Sequence, residues 1–324
     1  MEKTGKKRRI VVLDGYTLNP GDLSWSALES MGDCVVYERT SSSQVVERCR
    51  DAEVVLTNKV PVMAAEIEQL PRLEYIGVLA TGYNVVDLQA AAHRGIVVTN
   101  IPAYSTASVV QMVFAHLLNV TNAVQRHSDS VRRGDWTRCA DFSYTLSRQT
   151  ELEGKTMGIV GLGHIGSRVA SVAHAMGMNV VATTSKSREE LPSYVVPLAW
   201  DDFLAACDVL SLHCPLTAST RHLIDAEAIS KMKDGAILIN TGRGPLLDEQ
   251  AVADALESGK LAAACVDVLS TEPPAADNPL LSAPNCYITP HIAWATYEAR
   301  VRLMQIAVAN LESYFAGSPV NRVG

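Results

Sequence analysis

Three polar side chains follow apolar runs in the second half of the chain, and their types suit a proton-coupled reaction. Arg243 lies in INTGRGPLLDEQ, after the run 236–240. Glu272 lies in VDVLSTEPPAADNPL, directly before two prolines. His291 lies in NCYITPHIAWAT, just before the last helical stretch. Imidazole is the side chain best suited to moving a proton near neutral pH. A glutamate beside it would orient the ring and keep a proton available. A guanidinium can fork a carboxylate and polarise a carbonyl. With a hydride carrier, these groups could reduce a 2-keto acid or oxidise a 2-hydroxy acid.

A site for such a carrier is written in TMGIVGLGHIG (156–166). An apolar run feeds into Gly161, Gly163 and Gly166, and a helix of small residues follows. In this spacing the first glycine allows a tight turn, the second lets backbone approach a pyrophosphate, and the third lets the helix pack close. The helix N-terminus then offers free N–H groups to the anion. A plain glycine-rich strand–helix turn is the alternative, and the flanking elements disfavour it. NAD-binding turns place a carboxylate about 20 residues on, for the ribose hydroxyls. Here no acidic residue occurs between Gly166 and Glu189, and the run 179–183 is followed by Thr184, Ser185, Lys186, Ser187 and Arg188. Hydroxyls and two cations would welcome a 2′-phosphate, which favours NADP or dual use of NAD(P). Solvated loop charges at Lys186 and Arg188 are the alternative. The triplet at 154–156 is not a triphosphate loop, because Gln149 stands where that motif needs glycine.

The elements that must position these groups read as alternating strands and helices. Strands are expected at 9–13, 53–57, 75–79, 95–98, 157–160, 179–183, 208–212, 236–240 and 262–268, with a further one before His291. Helices are expected at 106–124 and 295–315, and the polar stretch 125–153 reads as a connector or arm. Continuous apolar strands between helical stretches signal parallel sheets covered on both faces. At 324 residues, with 48% hydrophobic and 19% charged, the chain can fill about two domain cores. The net charge of −7 gives no basic face for nucleic acid, and no apolar run reaches a membrane span. Lys3, Lys6, Lys7, Arg8 and Arg9 read as a solvated leader without a signal-peptide pattern. Seven cysteines without a CxxC pair fit reduced thiols and a cytoplasmic location. His93, His116, His127, His164, His174, His213 and His222 are scattered without ligand spacing, so no metal site is expected.

Taken together, GIVGLGHIG, SLHCPLT, LINTGRG, VDV…TEPP and TPHIAWAT resemble the D-isomer-specific 2-hydroxyacid dehydrogenase family over essentially the whole chain. Glu272 follows Arg243 by 29 residues and His291 follows Glu272 by 19, which is the family's order and spacing. The resemblance implies that Arg243 binds substrate and that Glu272 and His291 form the acid/base pair. VLATGYNVVDL (78–88) looks like the carboxylate-binding loop, with backbone N–H groups of Ala80, Thr81 and Gly82. Cofactor contacts are implied at Thr106, Gly161, Gly163, His164, Ile165, Gly166, Thr184, Ser185, Lys186, Cys214, Pro215, Thr241, Arg243, Asp267, His291 and Ala293, with Asp267 near the nicotinamide carboxamide.

The implied fold is α/β, with two doubly wound Rossmann-like domains. A flavodoxin-like, discontinuous substrate domain covers 1–101 and 294–324. An NAD(P)-binding Rossmann domain covers 102–293, and the cleft between them is the expected active site. DGYTLNPGDLSW (14–25) and HIAWAT are similar to the glycerate dehydrogenase and hydroxypyruvate reductase branch. The sequence ends soon after the last helix, so no regulatory extension is expected. Formate dehydrogenases lack the glutamate that this chain keeps. A homodimer is implied, built through the cofactor domains and the 125–153 arm. The alternatives are a dehydrogenase of D-lactate or another D-2-hydroxy acid and, more distantly, an NAD(H)-sensing corepressor-like protein.

Overall fold

The apolar runs become parallel strands in a computed structural model that describes residues 7–324; Lys3 and Lys6 of the basic leader lie outside the described residues. The chain divides into two units, Met1–Ser105 with Ala295–Gly324, and Thr106–Trp294. Those cuts, at 105/106 and 294/295, fall four residues and one residue from the expected 101/102 and 293/294.

In the first unit, β1 (Arg9–Val12), β2 (Asp33–Val36), β3 (Val54–Thr57), β4 (Tyr75–Val78) and β5 (Val97–Thr99) form one sheet. Their order, β2-β1-β3-β4-β5, is the flavodoxin-like one, and all pairs are parallel. Val11, Val55, Ile76 and Val78 are fully buried in its core. Enclosing such a side chain stabilises the fold by about 1.5–3 kcal/mol. β2 escapes sequence reading because it is a four-residue edge strand with no fully buried position. Of the leader, Arg8 is exposed, as expected, but both Arg8 and Arg9 make contacts in this unit. Arg8 lies over the Phe315 ring at 4.8 Å, and Arg9 starts β1 and pairs with Asp33 at 2.6 Å. The Tyr297–Phe315 helix, capped by the Thr296 hydroxyl, turns Ala299, Leu303, Ala307 and Leu311 inward at i+4 spacing. Arg300 on its buried side forks Asp22 through two bonds of 2.6 Å and holds that carboxyl below its ordinary range.

In the second unit, β6 (Thr156–Val160), β7 (Asn179–Thr183), β8 (Val195–Pro197), β9 (Val209–Leu212), β10 (Ala236–Asn240), β11 (Leu261–Val266) and β12 (Cys286–Ile288) form the other sheet. Their order is β12-β11-β10-β9-β6-β7-β8, a Rossmann arrangement whose direction reverses between β6 and β9. Alternate strand residues feed two cores, as parallel strands covered on both faces require. Ile159 and Ile239 pack with Val113, Leu117 and Val169 from the Thr106–Asn122 and His164–Ala175 helices. Leu210 and Leu238 pack on the other face with Phe203, Val252 and Leu256. The stretch expected as a connector begins with a nine-residue helix, Val124–Arg132, and leaves Phe142 90% exposed.

All seven cysteines are free, and burial pushes the Cys49 and Cys207 thiols up to about 12. Among the described residues no group of three His, Cys, Asp or Glu is placed to hold a metal. No single helix among them is long and apolar enough to cross a membrane.

Candidate active site

Ligands in open α/β sheets bind beyond the carboxyl ends of the strands, at the switch point. In the second unit the ends that matter are Val160, Thr183, Leu212, Asn240, Val266 and Ile288. The expected residues follow each of them.

After β6, Gly161 takes φ +89° and its N–H bonds Thr183 O at 2.9 Å. A Cβ on Gly161 would sit 3.0 Å from His213 O and Cys214 N, so the turn presses against the loop after β9. A Cβ on Gly166 would lie 2.0 Å from Gly161 O, which only glycine permits. Nothing lies within 4 Å of a Cβ on Gly163, the N-cap of the His164–Ala175 helix, and no side chain caps that helix. His164 is exposed at its first turn, while Ile165 leans on the core.

After β7, Lys186 N bonds the Thr184 hydroxyl at 3.3 Å, and Ser187 with Glu190 caps a short 3-10 turn. Arg188 is exposed in the same loop. Its guanidinium donates to Val195 O at 3.1 Å and to Pro192 O and Ser193 O at 3.4 Å. Lys186 and the hydroxyls of Thr184 and Ser185 follow the end of β7. After β9, His213 bonds Ser211 at 2.8 Å, and its enclosure pushes it down to about 4. Cys214 is half-buried, its thiol raised by burial, and Pro215 is exposed.

After β10, the buried Asn240 side chain accepts from Gly242 N at 3.0 Å and donates to Arg243 O at 2.9 Å. This Asx-type turn sets the Arg243 backbone, and the guanidinium itself donates to Gly242 O at 2.8 Å. Thr241 Oγ1 is buried without a hydrogen-bond partner among the described residues. Such an orphan is costly unless a ligand meets it. An open glycine cradle, an uncapped helix start and this orphan hydroxyl fit a nicotinamide dinucleotide.

After β11 and β12, one carboxylate organises the turn that carries His291. Asp267, 1% exposed, accepts from Thr289 Oγ1 at 2.6 Å, Ile292 N at 2.9 Å and Ala293 N at 2.8 Å. His291 N donates to Asp267 O at 2.8 Å, and His291 holds φ +54°, an uncommon value for a residue with a side chain. The ring is aimed by this turn: His291 Nδ1 lies 2.6 Å from Glu272 Oε2. Glu272 Oε1 accepts from Leu269 N at 3.1 Å. Three supports were not legible as site residues. Glu249 ties Ser270 N at 2.7 Å and Asn278 at 2.9 Å, which steadies the Glu272 loop. Ser108 donates to Ala293 O at 2.5 Å and His116 meets Thr289 at 3.1 Å, both from the helix that Thr106 begins. No motif marks them, because each acts through the fold.

In the first unit, the turn after β4 spends its carbonyls on Ile101 N at 3.0 Å and Asn100 at 2.8 Å. It spends the Thr81 hydroxyl on Ile101 O at 2.8 Å. That network leaves the N–H groups of Ala80, Thr81 and Gly82 out of it.

Residues 114–293, just over half of the chain, match the family model described as D-isomer specific 2-hydroxyacid dehydrogenase, NAD binding domain. The chain belongs to the D-isomer-specific 2-hydroxyacid dehydrogenase family. It is 49% identical over 322 residues to a hydroxypyruvate reductase of Blautia hydrogenotrophica, covering 97% of this chain and 99% of that one. It is 41% identical to a glycerate dehydrogenase of Methylorubrum extorquens, covering 89% and 90%. Among solved structures it is similar to an NADPH-dependent glyoxylate/hydroxypyruvate reductase of Sinorhizobium meliloti in complex with NADP and malonate. The TM-score is 0.83 at 31% identity, covering 98% and 97%. As a family member the chain is a nicotinamide-dependent oxidoreductase acting on the CH–OH/C=O couple of 2-hydroxy acids.

Proposed function

We propose that the chain reduces a short 2-keto acid, hydroxypyruvate or glyoxylate, to the D-2-hydroxy acid, with His291 as the acid. The observation that carries this reading is the 2.6 Å contact of His291 Nδ1 with Glu272 Oε2, in the unit that holds the glycine cradle. A carboxylate only accepts, so Nδ1 carries hydrogen and Nε2 is the nitrogen left to face substrate. In the imidazolium form His291 passes the Nε2 proton to the carbonyl oxygen, and Glu272 keeps the ring oriented and balances its charge. Arg243 pairs with the substrate carboxylate and polarises the carbonyl. In the first unit, the N–H groups of Ala80, Thr81 and Gly82 are offered to a carboxylate. When bound, the nicotinamide supplies the hydride.

Gly161, Gly163 and Gly166, with the helix start at His164 and Ile165, would hold the pyrophosphate. Thr106, Cys214, Pro215, Thr241, Asp267 and Ala293 would line the rest of the cofactor's path. Thr184, Ser185 and Lys186 favour NADP or dual use, because no carboxylate repels a 2′-phosphate there. A cytoplasmic homodimer is part of the proposal. A second copy would cover the exposed Val124, Trp136 and Phe142 of the arm. Sedimentation of the purified protein at the monomer mass would remove the dimer.

The test of function is reduction of hydroxypyruvate, glyoxylate and pyruvate by purified protein, with NADPH and NADH in parallel. Rapid turnover of the first two supports the reading. Turnover of pyruvate alone would favour a lactate-type dehydrogenase. Tight cofactor binding without turnover would favour a sensor.

A further inference from the structure

One buried titratable group takes no part in the proposed chemistry. His116 is 6% exposed on the inner face of the Thr106–Asn122 helix, and its Nε2 lies 3.1 Å from Thr289 Oγ1. Thr289 has one hydroxyl proton, and the 2.6 Å contact to Asp267 Oδ1 takes it, since a carboxylate cannot donate. The oxygen of Thr289 can then only accept from the imidazole. The direction of the chain is forced: His116 Nε2–H donates to Thr289, and Thr289 donates to Asp267. Asp267 in turn clamps the backbone N–H groups of Ile292 and Ala293, next to His291.

We propose that His116 is a positioning residue for the acid/base turn, holding Asp267 through Thr289 as the Nε2–H tautomer. This rests on the assignment of His291 as the acid. The neighbourhood suits a neutral ring. Burial pushes the imidazole down from its ordinary value, Asp267 is the charged group acting against that, and Cys265 Sγ donates to the His116 carbonyl at 3.9 Å. Remove the imidazole and the Thr289 hydroxyl loses the donor that fixes its rotation. Asp267 then loses a fixed partner while still bearing two backbone N–H groups.

The test combines a spectrum with kinetics. In 15N-labelled protein near neutral pH, the His116 ring signals, assigned by their loss in His116→Gln, should be those of the Nε2–H tautomer. His116→Leu should lower kcat for hydroxypyruvate about tenfold, as expected for a lost buried hydrogen bond to a charged network, with a smaller change in KM. His116→Gln, whose amide can donate to Thr289, should recover most of that loss. An Nδ1–H tautomer overturns the proposal even where the leucine variant fails to fold. So does a folded leucine variant with the wild-type kcat. If the wild type reduces no keto acid, the functional reading fails, and the tautomer measurement still decides the hydrogen-bond chain.

Discussion

Gly244→Ala should disable the acid/base pair without touching any residue of it. Gly244 follows Arg243 and opens a short 3-10 turn, Gly244–Leu246. A Cβ there would lie 2.0 Å from the carbonyl carbon of Leu269, 2.1 Å from its oxygen and 2.4 Å from Ser270 N. All three are backbone atoms, so no side-chain rotation relieves the clash. Restoring ordinary contact requires the two loops to part by roughly 1 Å or more. Overpacking of this kind costs about 1–3 kcal/mol, which a 324-residue fold with three buried cores should survive with a lowered melting temperature. The catalytic consequence is larger. Leu269 N holds Glu272 Oε1 at 3.1 Å, Ser270 N is held by Glu249, and Glu272 Oε2 meets His291 Nδ1 at 2.6 Å. Displacing Leu269 therefore displaces the carboxylate that orients the ring. A misplacement of about 1 Å costs on the order of 100-fold in rate. The assay is kcat/KM for hydroxypyruvate, with cofactor binding measured by fluorescence and folding by thermal melting. A folded Gly244→Ala protein with the wild-type kcat/KM would refute the claim that this close approach sets the Glu272–His291 geometry.

Two further outcomes follow from the cofactor half. Thr184→Asp should lower the NADPH/NADH ratio of kcat/KM, because a carboxylate at the end of β7 would repel a 2′-phosphate and suit ribose hydroxyls; an unchanged ratio would mean that the ribose lies elsewhere. His213, pushed down to about 4 by enclosure from an ordinary 6.5, also makes stability depend on pH. Its folded value is the lower one, so the unfolded chain takes the proton first as pH falls. Its contribution is fully present above about 6.5 and is lost towards about 4, by roughly 3 kcal/mol in all. The melting temperature of His213→Gln should therefore fall less steeply over that window, and an equal slope would contradict the assignment.

The parts of the fold that sequence reading finds are those with strong local signals. β6 is legible because TMGIV is continuous and apolar and runs into glycines, and β10 because AILIN does the same before TGRG. β2 and β8 are not, since each is a short edge strand with little buried surface. The Val124–Arg132 helix reads as connector because only Ser130 of its residues is buried. Glu272 and His291 are singled out by residue types that suit proton transfer, and the structure sets them 2.6 Å apart, while Arg243 is singled out by its type in a glycine-flanked loop. His116, Ser108 and Glu249 are not, because a hydrogen bond made across the fold leaves no pattern along the chain. Arg188 keeps its charge in the loop after β7 while its guanidinium donates to the carbonyls of Pro192, Ser193 and Val195, contacts that no local pattern announces.

The most direct test of the account is steady-state reduction of hydroxypyruvate by the wild type and His291→Ala, measured beside reduced-cofactor binding to both. The expected result is brisk turnover by the wild type and a loss of about 10²–10⁴-fold in the variant, which still binds cofactor. A variant that turns over hydroxypyruvate as fast as the wild type would contradict His291 as the acid.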